Sequence, residues 1–115
     1  MIDKRKFYIN GKWIDPIKQN DLEVINPSNE DSFATISLGS KEDVDAAVKS
    51  ARKAFDNWKE TTKNERINLL EKLLSIYKKR FNEMTTAISM EMGAPMDWAS
   101  EVQNASGQGH LEDFI

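Results

Sequence analysis

No cysteine occurs among the 115 residues, so disulfides, thiolate zinc sites and cysteine nucleophiles are all excluded for this chain. Histidine occurs once, at His110, which leaves no histidine cluster for a metal and no histidine pair for acid-base relay. Proline is confined to three positions and glycine to five, so each can be read as local punctuation and neither forms a linker. No apolar run approaches the roughly 20 residues that span a bilayer, and the start, Met1 to Lys6, leads into a strand pattern and not into the apolar stretch of a signal peptide. A cytoplasmic, non-membrane protein is the expectation. Charge of one sign is also missing: 16 basic and 19 acidic residues are interspersed and give a net charge of -3. Without a basic block, nucleic acid is not an expected partner.

The residues present have the balance of an ordinary globular domain, 39% hydrophobic and 30% charged, with room for one modest core. Phe7-Tyr8-Ile9 and Lys12-Trp13-Ile14 flank Asn10-Gly11, the pair that supplies both positive-φ positions of a type I′ turn. A β-hairpin is predicted there. Leu22 to Ile25 reads as a short strand, Asn26-Pro27-Ser28-Asn29-Glu30-Asp31 as a turn, and Phe33 to Ile36 as the next strand. These form a second hairpin-like pair.

Ser40 followed by Asp43 has capping-box spacing, although Asp is shorter than the usual Glu or Gln, and it opens a run with Val44, Val48, Ala51, Phe55 and Trp58 on one helical face. Thr62 and Glu65 repeat that spacing before Ile67, Leu70, Leu74, Tyr77, Phe81, Met84 and Ile88, reinforced by Leu69, Leu73 and Ile76. The periodicity predicts one helix from Thr62 to about Met92, roughly 45 Å long at 1.5 Å per residue. Gly93 and Pro95 would end it. A third helix carrying Met96, Ala99 and Val102 is weakened by Asn104, Ser106, Gly107 and Gly109, and the glycine pair reads as loop or helix ending.

Strands first and helices after give an α+β chain: two N-terminal β-hairpins, then two or three helices. Hairpins alone are not stable, and the helices carry broader apolar faces than two hairpins can cover, so an incomplete domain is expected. The chain stops at Phe114-Ile115 as though an element continued. His110, with Glu112 and Asp113 nearby, reads as an ordinary surface or interface histidine, because no nucleophile or metal cluster accompanies it. Met84, Met90, Met92 and Met96 read as core filling, and Trp13, Trp58 and Trp98 as packing anchors.

Several landmarks follow one another in a specific order: Phe7-Tyr8-Ile9-Asn10-Gly11-Lys12-Trp13, Val24-Ile25-Asn26-Pro27-Ser28, Ser40 to Val48, Ala51 to Trp58, Glu65-Arg66 before the leucine-rich helix, and Glu91-Met92-Gly93-Ala94-Pro95. In this order the chain resembles the N-terminal segment of the NAD(P)-dependent aldehyde dehydrogenases, over residues 7 to 115. The resemblance implies that residues 1–115 are the N-terminal portion, incomplete, of the cofactor-binding domain of an α/β enzyme.

It further implies oxidation of aldehydes to carboxylic acids: a cysteine thiolate attacks the carbonyl, hydride passes to NAD or NADP, and a glutamate-activated water releases the acid. In the family the cysteine, the glutamate, the oxyanion-stabilising asparagine and the cofactor motifs all lie beyond position 115. No catalytic or cofactor-binding residue is therefore assigned here, and neither catalysis nor NAD(P) binding is expected of the chain alone. Its expected partners are the remainder of the enzyme and, in the whole protein, further copies in a homo-oligomer. The alternatives are a structural subunit of a split enzyme and a non-functional truncated remnant, which the nucleotide sequence after Ile115 separates. One site is implied in part. Several family members bind a structural monovalent cation through main-chain oxygens before the Asn-Pro and a carboxylate before the Gly-x-Pro, which here are Val24, Ile25 and Glu91. Oxygen-only ligation suits K⁺ or Na⁺, although the usual acid is the shorter Asp.

Overall fold

Two compact units are present in the computed structural model, which describes residues 1–115. The first comprises Met1–Ile25 and Glu30–Glu60; the second comprises Asn26–Asn29 and Thr61–Ile115.

In the first unit, β2 (Phe7–Ile9) and β3 (Lys12–Ile14) pair antiparallel across Asn10 (φ 53°) and Gly11 (φ 74°). Both central residues are left-handed, as a type I′ turn requires. Tyr8 and Trp13 face each other across the pair with ring centroids 5.3 Å apart. A separate three-stranded sheet has the order β1-β5-β4, where β1 is Ile2–Lys4, β4 is Asp21–Ile25 and β5 is Ser32–Ser37. β4 and β5 run antiparallel, as the alternation predicted. β1 joins β5 in parallel, a long-range pairing that three residues of sequence do not announce.

Helix α1 (Lys41–Trp58) starts at a full capping box on Ser40 and Asp43. Asp43 lies only 4% exposed and does more than the motif asks. Its Oδ2 accepts from the Ser40 N–H (2.8 Å), while its Oδ1 accepts from the N–H of Ile17 (2.9 Å), 26 residues away. The short carboxylate thus ties the segment after β3 to the start of α1.

In the second unit, α2 (Lys63–Lys79) begins with the Thr62–Glu65 box. The single long helix expected from periodicity is broken at Arg80 (φ −102°, ψ 14°), after which α3 (Phe81–Met92) starts afresh. The Arg80 N–H is shared between the carbonyls of Ile76 (3.0 Å) and Tyr77 (3.1 Å), a mixed turn that bends the axis without Gly or Pro. Gly93 (φ 72°) ends α3 as expected.

From Pro95 the chain is helical to Asp113: α4 (Met96–Trp98), a π-helical stretch (Ala99–Asn104) and α5 (Ala105–Asp113). Gly107 and Gly109 therefore lie inside a helix, which corrects their reading as a loop or ending. At Gly107 the reason is packing. A Cβ there would stand 2.5 Å from the Tyr77 hydroxyl, so only glycine lets α5 approach α2 this closely.

Burial is unusual in kind. The buried residues are Ala34, Ala99, Ser37, Asp43, Thr85 and Asn104; no large apolar side chain is among them. Ile67, Leu70, Leu74, Tyr77, Phe81 and Ile88 are half-buried, so that stripe does face inward. Trp13, Trp58 and Trp98, and three of the four methionines read as core filling, Met84, Met92 and Met96, are exposed. Trp13 nonetheless packs against Tyr8 across the β2–β3 pair.

Candidate functional site

The most strongly built polar site centres on Asn104, which has no exposed surface. It closes the π-helical stretch and meets both helices across the bend at Arg80. Its Nδ2 donates to the carbonyl of Phe81 (2.7 Å) and to Thr85 Oγ1 (2.8 Å). Thr85 Oγ1, 3% exposed as a residue, donates in turn to the Phe81 carbonyl (3.1 Å). The Tyr77 hydroxyl lies against the Asn104 side-chain oxygen and main-chain carbonyl, and its ring meets Phe81 edge to face at 6.3 Å. Each polar side chain in this cluster has a partner, the condition under which a buried polar network orders a fold.

The arrangement explains the break at Arg80. Tyr77 on α2 and Thr85 on α3 converge on one side chain, and the bend brings both within reach. Sequence reading took Asn104 as a helix-weakening residue and missed this role. The usable signal was Gly107, three residues on and so on the same helical face, which clears space for a large side chain from a neighbouring helix.

A second junction joins two of the sequence landmarks. The Asn26 carboxamide accepts from the Ser28 N–H (2.9 Å) in the turn that holds Pro27, and the site of a Gly93 Cβ would be 2.8 Å from Pro27 Cγ. Ser89 Oγ donates to the Ala94 carbonyl (2.7 Å) and closes the end of α3. Gly93 is thus required twice, by its left-handed backbone and by the prolyl ring against it.

The three expected cation ligands fall in both units. Val24 and Ile25 occupy the end of β4, at an irregularity in the β4–β5 register where Val24 pairs with Ala34 and Ile25 with Ser32. Glu91 is exposed in the last turn of α3. His110 is exposed on α5, and no group of three or more His, Cys, Asp or Glu side chains that could hold a metal ion occurs. No helix is long and apolar enough to cross a membrane.

Comparison with known proteins agrees with this architecture. A model of the aldehyde dehydrogenase family matches residues 13–112. A 3-succinoylsemialdehyde-pyridine dehydrogenase from a Pseudomonas species is 44% identical over 96% of this chain and 24% of its own length. An aldehyde dehydrogenase from Bartonella henselae superposes with a TM-score of 0.96 at 53% identity, over 97% of this chain and 24% of that one. A mutant aldehyde dehydrogenase C from Pseudomonas syringae, in complex with NAD⁺ and octanal, superposes at 0.92 with 35% identity, over 94% and 22%. The chain therefore belongs to the aldehyde dehydrogenase family and spans about a quarter of the length of these relatives, their N-terminal segment.

Proposed function

We propose that these 115 residues serve as the N-terminal scaffold of an NAD(P)-dependent aldehyde dehydrogenase of the cytoplasm, which oxidises an aldehyde to a carboxylic acid and assembles as a homo-oligomer. In this reading the chain supplies architecture and no reacting group. The observation that carries it is the absence of cysteine in a chain whose family uses a cysteine thiolate as nucleophile. The relative solved with NAD⁺ and octanal supports the cofactor and substrate class for the whole enzyme. What this chain's residues do is hold geometry: Asn104, Tyr77 and Thr85 lock α2, α3 and the π-helical stretch, and Asp43 pins the start of α1.

The purified chain, incubated with NAD⁺ or NADP⁺ and a panel of aldehydes, is expected to give no reduced cofactor above background; robust turnover would refute the reading. Calorimetric titration with NAD⁺ should likewise show no binding. A second reading, that the chain is a separately made subunit that joins a separately encoded remainder, is favoured by the outward-facing large apolar side chains. Co-purification with such a polypeptide from native extract supports it, and a clean monomer in that extract counts against it. The monovalent cation on Val24, Ile25 and Glu91 belongs to the same proposal and rests on the family resemblance. Anomalous scattering that finds no K⁺ in a full-length relative with Glu at this position would remove it.

A further inference from the structure

Asn10 is the only asparagine in the chain that precedes a glycine, and both residues of the pair are exposed. The Asn10 carboxamide has no hydrogen-bond partner. The Ile9–Lys12 pair closes the β2–β3 ladder, which leaves the Gly11 N–H outside it, and a Cβ at Gly11 would meet nothing within 4 Å. A nucleophilic nitrogen and an amide carbon thus sit on adjacent residues with no contact that restrains either. Asn10 also lines a hollow between the hairpin and α1, together with Lys12, Lys49 and Lys53. None of the three lysines is in a salt bridge, and no acidic side chain lines the hollow, so their charge is uncompensated there. A positive field of this kind favours an anion that develops on the Asn10–Gly11 pair.

We propose that Asn10 is a self-modification site, at which the main-chain nitrogen of Gly11 displaces the side-chain nitrogen of Asn10. Hydroxide removes the Gly11 N–H proton, the nitrogen attacks Asn10 Cγ, and the tetrahedral oxyanion collapses with loss of ammonia to a five-membered succinimide. Water then opens the ring. Attack at Cγ leaves aspartate and attack at the main-chain carbonyl leaves isoaspartate, so the net change is water in and ammonia out. The type I′ turn itself withholds this reaction, because ψ of about 30° puts the Gly11 nitrogen on the far side of the Cα–C bond from the Asn10 side chain. Flipping the Asn10–Gly11 peptide gives a type II′ turn, in which Asn10 keeps φ near its 53° while ψ moves to about −120° and brings the nitrogen to Cγ. Glycine at position 11 permits the accompanying change of its own φ from 74° to about −80°. The hairpin therefore sets the rate through a local flip, and Lys12, Lys49 and Lys53 stabilise the amide anion and the oxyanion. The two products differ in consequence. Aspartate before glycine still forms a type I′ turn, whereas isoaspartate adds a backbone methylene to a two-residue loop and breaks the register that sets Tyr8 against Trp13.

The 115-residue chain is incubated at mildly alkaline pH in dilute buffer, in sucrose and in urea. The tryptic peptide Phe7–Lys12 is followed by mass spectrometry, with its aspartate and isoaspartate forms separated by chromatography. The expected result is modification at Asn10 ahead of every other asparagine, about ten- to a hundredfold slower in the folded chain than in urea, since the flipped turn holds Asn10 in a strained backbone region. Sucrose, which favours the folded chain over the globally unfolded one, should leave the rate unchanged. Lys49→Gln combined with Lys53→Gln should slow it about threefold, and high salt should erase that difference. Asn10→Gly, which keeps a pair suited to the turn, should leave the peptide free of isoaspartate. An Asn10 that stays intact in the folded chain while it is consumed in urea overturns the proposal, as does a rate that falls in sucrose in step with the unfolded fraction. An unchanged rate in the double lysine variant, with helix content retained by circular dichroism, overturns the part assigned to the hollow.

Discussion

Gly107 and Gly109 sit two residues apart in one helix and make opposite demands. A methyl at 107 meets the Tyr77 hydroxyl at 2.5 Å and the ring carbon behind it at 3.3 Å, whereas a methyl at 109 meets nothing within 4 Å. Gly107→Ala is expected to cost about 1–3 kcal/mol by overpacking. Gly109→Ala is expected to stabilise by about 0.5–1 kcal/mol, because it removes glycine from a helix interior. Urea denaturation of both variants reads the difference. Tyr77→Phe alone leaves the buried Asn104 oxygen without its donor, worth about 1–3 kcal/mol. In the Gly107→Ala background the same change also relieves the clash, so the double variant should be less destabilised than the two single changes combined. Strict additivity would mean that the two residues do not share the site.

Elements here are held at their ends, and the sequence signals for those ends are the most readable features of the chain. Ser40 and Thr62 cap their helices as spaced motifs, and Asn10-Gly11 turns as its residue types require, because each depends on atoms within four residues. Thr62→Ala should cost about 1 kcal/mol, measured by thermal unfolding.

Asp43 adds a pH dependence to α1. Its carboxylate accepts from the Ile17 and Ser40 main-chain N–H groups and from the Ser40 hydroxyl, and these bonds hold its pKa below the ordinary carboxylate value, the Ile17 bond most of all. A lowered folded-state pKa means that the unfolded chain binds the proton more readily. The stabilisation is therefore complete above the unfolded pKa of about 4 and is lost as pH falls below it through the folded value. Asp43→Asn should flatten that part of the acid-unfolding profile relative to the unsubstituted chain; an identical acid limb would assign the dependence to other carboxylates, such as Asp3, which Arg5 holds down at about 2.

The break at Arg80 and the helical path through Gly107 and Gly109 were not readable in the same way. Arg80 is neither Gly nor Pro, and its conformation answers to Asn104, 24 residues on, which draws Tyr77, Phe81 and Thr85 together. A periodic apolar pattern reports which side of a helix is apolar. It does not report a bend whose cause lies in another helix.

At the scale of the molecule, Ala34 and Ala99 are the only buried apolar residues, while Trp13, Trp98, Leu73, Ile76 and Phe114 stay exposed. Denaturant slopes follow the area uncovered on unfolding. The isolated chain should therefore unfold with a shallower urea slope than a typical domain of 115 residues. A slope already typical in the isolated chain would contradict the burial described above.

Family membership, the first hairpin, the caps and the helix stop at Gly93 were determined by sequence alone, since each rests on residue types at short, regular spacings. The absence of cysteine was equally plain from the composition. Tertiary structure decided what long-range contacts decide: the parallel pairing of β1 with β5, the bend at Arg80, and the buried place of Asn104. The sequence marks Ser40 and Asp43 as a local cap, but only the fold shows that Asp43 is buried and bonded to Ile17 as well, because burial is a property of what lies opposite a residue.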